Sequence, residues 1–197
     1  MNKRVVKIQY NSPVVLTFAL LSLAALILGK LTGGWTTVKL FSVYRSSPTD
    51  LLTYPRFVLH VLGHSSYSHY IGNIMMILVI GPALEERYGS KPLFWAIFIT
   101  ARVSGMVPWL FFPSTALLGA SGIVFMLIML ASLSGFSGGI PVTMLLVAAL
   151  YLGQQVYDII FVRDNVANFM HIVGGVCGTV FGYAYAVLPR RKRSRRK

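Results

Sequence analysis

The sequence predicts an all-α polytopic membrane protein of six transmembrane helices with both termini in the cytoplasm. Three observations predict it. The 197-residue chain is 55% hydrophobic and only 12% charged, against about 25% charged in ordinary soluble domains. Its mean hydropathy is +0.68. Its apolar residues fall into runs near the ~20 residues that cross a bilayer core. This composition excludes a disordered chain, a soluble enzyme and a nucleic-acid-binding domain of normal make-up.

Six runs are read as spans, at 13–29, 67–83, 93–112, 118–133, 140–160 and 167–188. The organisation is a cytoplasmic segment 1–12, a membrane domain 13–189 and a basic cytoplasmic tail 190–197. The first run follows a basic start, as a signal peptide does. It is long, however, and Lys30 follows it without a small-x-small cleavage site, so it reads as a span. The segment 30–66 is too long for a simple linker and is expected to carry structure of its own. The fourth run is short, which suits a helix starting below the surface under a loop that dips in.

The net charge of +13 is concentrated where membrane topology puts it. Seven of the 18 basic residues lie in Arg190 to Lys197, and Lys3, Arg4 and Lys7 precede the first run. With the N-terminus inside, twelve basic residues face the cytoplasm and five (Lys30, Lys39, Arg45, Arg56 and Arg163) face outward. That bias supports the orientation, and the tail suits anionic lipid headgroups. The expected partners are the lipid bilayer and a membrane protein, with no nucleic acid. Cys177 is the single cysteine, so no intrachain disulfide forms. Arg102 interrupts the third run and is expected to be buried, pairing with a polar group or lining a wet cavity.

Polar side chains inside a membrane are costly, so each needs a reason. His69 and Asn73 are spaced i, i+4 and share one face at the outer end of the second run. Gly119-Ala120-Ser121-Gly122 begins the fourth run, and His171 lies about one turn into the sixth. Three separate helices therefore deliver Ser121, His171, His69 and Asn73 to similar depth. Together they are the parts for acyl transfer: the serine attacks, the histidine takes and returns its proton, and the donors hold the oxyanion. A second match, Gly135-Phe136-Ser137-Gly138, lies ~24 Å lower at ~1.5 Å per residue, far from every histidine, and reads as a turn.

The sixth run also supplies the packing. Gly174, Gly178 and Gly182 recur every four residues, and small residues at that spacing let helices approach closely. His171 precedes Gly174 by three, so it shares the stripe, which can draw this helix against the fourth. Phe125, one turn after Ser121, is placed to pack on the His171 ring.

Each residue also has a plainer reading. Alone, Ser121 is an ordinary packing serine, His171 a buried histidine bonded to a carbonyl, and Asn73 interhelical glue. His60, His64 and His69 lack the His-Glu-x-x-His pattern and nearby carboxylates of a zinc site, so no metal is expected. Asp158 and Asp164 are near the outer side, either orienting His171 or simply interfacial.

The segments His64-x4-His69-x3-Asn73, Gly81-x3-Glu85-x3-Gly89, Gly119-Ala120-Ser121-Gly122 and His171 with its glycines resemble the rhomboid intramembrane serine proteases, over roughly residues 56–188. The resemblance implies a Ser-His dyad with Ser121 as nucleophile and His171 as general base. It implies an oxyanion and substrate-binding group of His69, Asn73, Gly119 and the Ser121 backbone N–H. His64, Phe125, Gly122, Gly174 and Gly178 then support the site, and Glu85 and Gly89 are structural. The first-loop Trp-Arg pair of many members is matched here by Pro55-Arg56, and the frequent tyrosine over the histidine by Phe125.

The implied activity is endopeptidase hydrolysis of single-span membrane proteins near the outer leaflet, with small residues around the scissile bond and no cofactor. The fifth span and the loop after it are read as lateral gate and lid, and the prokaryotic plasma (inner) membrane as the location. The alternative is a catalytically silent relative that binds membrane helices; such relatives lack the serine or the histidine, and this chain has both. A transporter would want several intramembrane charges and a repeat, neither of which the sequence shows.

Overall fold

The structure is a computed structural model that describes residues 9–134, 142–161 and 165–187. The second Gly-x-Ser-Gly segment, Arg163, Asp164, the basic residues before Gln9 and the basic tail lie outside the described residues, as does the side chain of Asp158.

Eight α-helices account for most of the described residues. Among the described residues four are long and apolar enough to cross a membrane: α1 (Pro13–Leu31), α4 (Tyr67–Tyr88), α5 (Ser90–Phe111) and α8 (Asn165–Val187), the last over Val166–Tyr185. Between α1 and α4 run α2 (Trp35–Lys39), the strand β1 (Val43–Tyr44), α3 (Thr53–Leu59) and a 3-10 turn, His60–Leu62. Then come β2 (Ala116–Leu117), α6 (Ser121–Ser132) and α7 (Val142–Phe161).

The helix bounds differ from the hydropathy runs where polar residues continue a helix. α4 runs on to Tyr88 through Pro82 and Glu85, five residues past the predicted end, because those residues face protein. Glu85 is 4% exposed. Its carboxylate accepts the Val14 and Val15 N–H groups, each at 3.0 Å. It thereby satisfies two of the unpaired donors at the start of α1, where the helix dipole favours negative charge. One turn earlier, a side chain on Gly81 would lie 2.7 Å from Val15 Cγ2, so only glycine lets the two helices meet. Gly89, with φ at +92°, turns the chain directly into α5.

α6 is the centre of the molecule. Ile123, Met126, Leu127 and Leu130 are fully buried, and a helix apolar on all sides is stable only when enclosed. It has 12 residues, about 18 Å of helix against the ~30 Å of a bilayer core. Being surrounded by α4, α5, α7 and α8, it does not need to reach both surfaces. Its tightest partner is α8. A side chain on Gly174 would collide with the Gly122 backbone, and one on Gly178 with that of Met126. The glycines thus set a parallel register between the two helices.

The segment between α1 and α4 is anchored by Arg56. Its guanidinium is buried, donates to the Lys39 carbonyl at 2.7 Å and to Asp50 at 2.8 Å, and lies over the Tyr44 ring at 4.7 Å. The Leu52 N–H and then Arg56 hold the Asp50 carboxyl below its usual range. Gly105 brings α5 against the backbone of α3, with Phe57 Cα 2.6 Å from where a Cβ would stand.

Arg102 departs from the expectation of burial. It lies on the exposed face of α5, because the small residues flanking it, Ala101, Ser104 and Gly105, take the inward positions.

Candidate active site

Ser121 is the first residue of α6, with Ala120 as N-cap and no side chain capping the end. The free N–H groups there give the helix a positive end beside the Ser121 hydroxyl. The approach to Ser121 hangs from the outer segment at two places. β2 pairs antiparallel with β1, Leu117 opposite Val43 and Ala116 opposite Tyr44. The Gly119 N–H donates to the His60 carbonyl at 2.9 Å. Gly119 has φ at +123°, a conformation other residues rarely adopt.

Gly119 faces His69 and Asn73. A Cβ on Gly119 would stand 2.8 Å from His69 Nε2 and 3.9 Å from Asn73 Nδ2. His69 sits in the first turn of α4, whose N-cap Ser66 hydroxyl accepts the His69 N–H at 3.1 Å. Its Nδ1 is 3.2 Å from the Ser65 hydroxyl. Asn73, one turn on, is buried, and its Nδ2 has no hydrogen-bond partner among the described residues. A buried amide donor without a partner is costly, and here it stands beside a backbone kept bare by glycine.

His171 comes from α8, half-buried. Its ring lies on Phe125, centroids 4.3 Å apart and planes 9° from parallel. The glycine register carries it to this height. Gly174 meets Gly122, the residue after Ser121, and the Gly122 Cα is 3.0 Å from a Cβ built on Gly174. The structure therefore assembles two clusters at the head of α6: Gly119, His69 and Asn73, and Phe125 with His171. Gly122, Gly174 and Gly178 are the surfaces on which α6 and α8 touch. His64 stands behind His69, ring centroids 5.0 Å apart, and also meets Tyr70 edge-on at 5.5 Å. It does not reach the Gly119 loop. Its Nδ1 bonds the Leu62 carbonyl at 3.1 Å and its Nε2 is buried without a partner among the described residues.

His60 is the site residue whose position the sequence left unread. Its carbonyl receives both Gly119 and Gly63 N–H groups. Its ring is fixed between the Arg56 carbonyl, 3.2 Å from Nδ1, and the Ser104 hydroxyl, 3.3 Å from Nε2. The only sequence signal was its spacing four residues before His64. Burial lowers the pKa of His60 to about 4. Burial, and then the neighbouring His69, lowers that of His64 to about 4, so both are neutral near pH 7. Among the described residues no three His, Cys, Asp or Glu side chains are grouped to hold a metal ion.

Long apolar helices around a short buried one define a polytopic helical integral membrane protein. Comparison with known proteins identifies which. The Rhomboid domain profile matches residues 52–188, and the chain belongs to the rhomboid family. It is 31% identical over 134 residues to the rhomboid protease GlpG of Serratia proteamaculans (strain 568) and 28% identical over 141 residues to mouse Rhomboid-related protein 2. Each match covers 65% of this chain and 47% of the relative. To the rhomboid protease GluP of Bacillus subtilis (strain 168) it is 24% identical over 182 residues, covering 88% of this chain and 34% of that protein. The chain thus spans about half the length, or less, of these relatives. Two of these relatives carry protease names.

Proposed function

We propose that this chain is an intramembrane serine endopeptidase that cleaves single-span membrane proteins near the outer leaflet with a Ser121–His171 dyad. The observation that carries the reading is the α6/α8 clasp, in which His171 is held flat on Phe125 one turn below Ser121. The protease names of the relatives in Serratia and Bacillus support it.

In this mechanism the His171 imidazole removes the proton of the Ser121 hydroxyl as its oxygen bonds the scissile carbonyl carbon. The resulting oxyanion is received by the Ser121 N–H, His69 and Asn73, beside the space that Gly119 leaves open. Collapse breaks the C–N bond, and the leaving amine takes the proton from His171. Water, deprotonated by the same imidazole, then releases the acyl group and restores Ser121. Preorganised donors of this kind are each worth about 10²–10³ in rate. His64 supports His69 from behind.

The proposed topology is six spans with both ends cytoplasmic. α6 and α7 supply the two crossings beyond the four long apolar helices, and α7 with the loop after it forms gate and lid. The proposed location is a prokaryotic plasma membrane.

The test is incubation of the purified protein, in lipid vesicles, with a reporter single-span substrate. Cleavage is expected from the native chain and from neither Ser121→Ala nor His171→Ala, and a fluorophosphonate probe is expected to label only chains that keep Ser121. Cleavage by both variants would overturn the assignment. Absence of cleavage and labelling in the native chain would favour a silent helix-binding relative.

A further inference from the structure

Arg102 is an exposed cation in the middle of a lipid-facing helix. It lies nine residues before Phe111 and twelve after Ser90, the ends of α5. Along the axis that is roughly 13 Å and roughly 18 Å at ~1.5 Å per residue. Both exceed what one arginine side chain spans, so snorkelling alone leaves the guanidinium short of the headgroups. The rest of the stripe is apolar and exposed: Trp95, Ile99, Met106 and Leu110, at spacings of four, seven and four around the charge. The opposite face of α5, with Ala96, Thr100 and Ser104, is buried against the bundle. Arg102 makes no hydrogen bond or ion pair among the described residues, whereas Arg45 and Arg56 bond backbone carbonyls or a carboxylate.

We propose that this face of α5 docks the transmembrane helix of a partner protein carrying an aspartate or glutamate at the depth of Arg102. An intramembrane cation demands a complementary anion, and a flat apolar stripe around it offers helix-packing surface. A second copy of the chain does not supply the anion. Glu85 is spent on the start of α1, and Glu86 is beside it at the far end of α4. Asp50 pairs with Arg56, Asp158 is three residues from the end of α7, and Asp164 falls in sequence between the end of α7 and the start of α8. None stands midway along a helix. The inference does not depend on the catalytic reading, since α5 turns this face away from Ser121.

The test uses the full chain in phosphatidylcholine vesicles with single-span polyleucine peptides, pairing being read by energy transfer between labels. A peptide with one Asp nine residues from its outer end is expected to pair roughly fivefold more tightly than the all-Leu peptide, the size of effect that one interhelical polar pair gives. The gain is expected to vanish in Arg102→Leu. In Arg102→Glu the preference is expected to pass to a peptide bearing Arg at that depth. Equal pairing of the Asp and Leu peptides would overturn the proposal, as would a gain that survives Arg102→Leu. Loss of pairing when phosphatidylglycerol is added would assign Arg102 to a lipid phosphate instead. Self-association of the chain that depends on Arg102 would assign it to a second copy, and either result overturns the proposal.

Discussion

The Phe125 ring lies flat on the His171 imidazole, 4.3 Å between centroids and 9° from parallel. Two residues 46 positions apart in the sequence thus form one rigid unit across α6 and α8. Flat stacking fixes the ring plane of the histidine. Aromatic pairs contribute about 0.5–1.5 kcal/mol beyond their buried area.

Phe125→Ala removes that surface. It is expected to lower turnover by roughly tenfold, the rate equivalent of about 1.4 kcal/mol, with little change in KM. Phe125→Tyr is expected to keep most of the activity, since it keeps the ring. Steady-state cleavage of the reporter substrate by the two variants, compared with the native chain, makes the measurement.

Asn73→Ala is expected to reduce kcat by about 10²–10³, the usual loss for one oxyanion donor, while the thermal unfolding midpoint in detergent moves little. The buried Nδ2 makes no hydrogen bond among the described residues, so truncation removes no native donor contact. A large fall in the midpoint with unchanged kcat would make Asn73 a structural residue.

Gly178→Ala places a methyl group 2.9 Å from the Met126 Cα and carbonyl carbon. These are backbone atoms inside a buried helix and cannot turn aside as a side chain does. A loss of about 1–3 kcal/mol in stability is expected, the range for overpacking, together with reduced cleavage as α8 is pushed from α6. Gly72→Ala is the control, because a Cβ there meets nothing within 4 Å. Unfolding midpoints of the two variants decide the matter.

The buried His60 sets an acid limit on stability. Its folded pKa of about 4 lies below the ordinary 6.5, so the unfolded chain binds more protons between those values. Stability from this group is complete above about pH 6.5 and declines as the pH falls towards 4, by roughly 2 kcal/mol at pH 5. His64 pulls in the same direction. Unfolding midpoints at pH 7.5 and pH 5 are expected to differ clearly for the native chain and less for His60→Gln. An equal difference in both would clear His60 of the effect.

Much of the site was legible because a membrane makes polar residues conspicuous. Ser121 stood out by the depth expected for it beside His171, His69 and Asn73, rather than by a four-residue pattern. The glycine stripe of α8 was legible as a period of four, and the structure shows what it touches: Gly122 and Met126 on α6. The face of Arg102 was not legible. α5 is apolar nearly all round, so its periodicity does not say which side meets lipid, and burial was the wrong expectation. The C-terminal end of α4 was missed because the apolar run stops at residue 83, whereas the helix continues to Tyr88 and lets Glu85 reach α1.

By itself the sequence determined that the chain is an integral membrane protein, roughly where its long apolar helices lie, and which few polar side chains interrupt them. These follow from the local cost of exposing apolar groups to water and polar ones to lipid, and that cost is paid residue by residue. Only the tertiary structure decided how the head of α6 is held. The His60 carbonyl takes the Gly119 N–H across 59 positions, β1 pairs with β2, and His171 is laid on Phe125. Such contacts join distant backbone and ring surfaces whose meeting depends on how whole helices pack, and no local pattern encodes that.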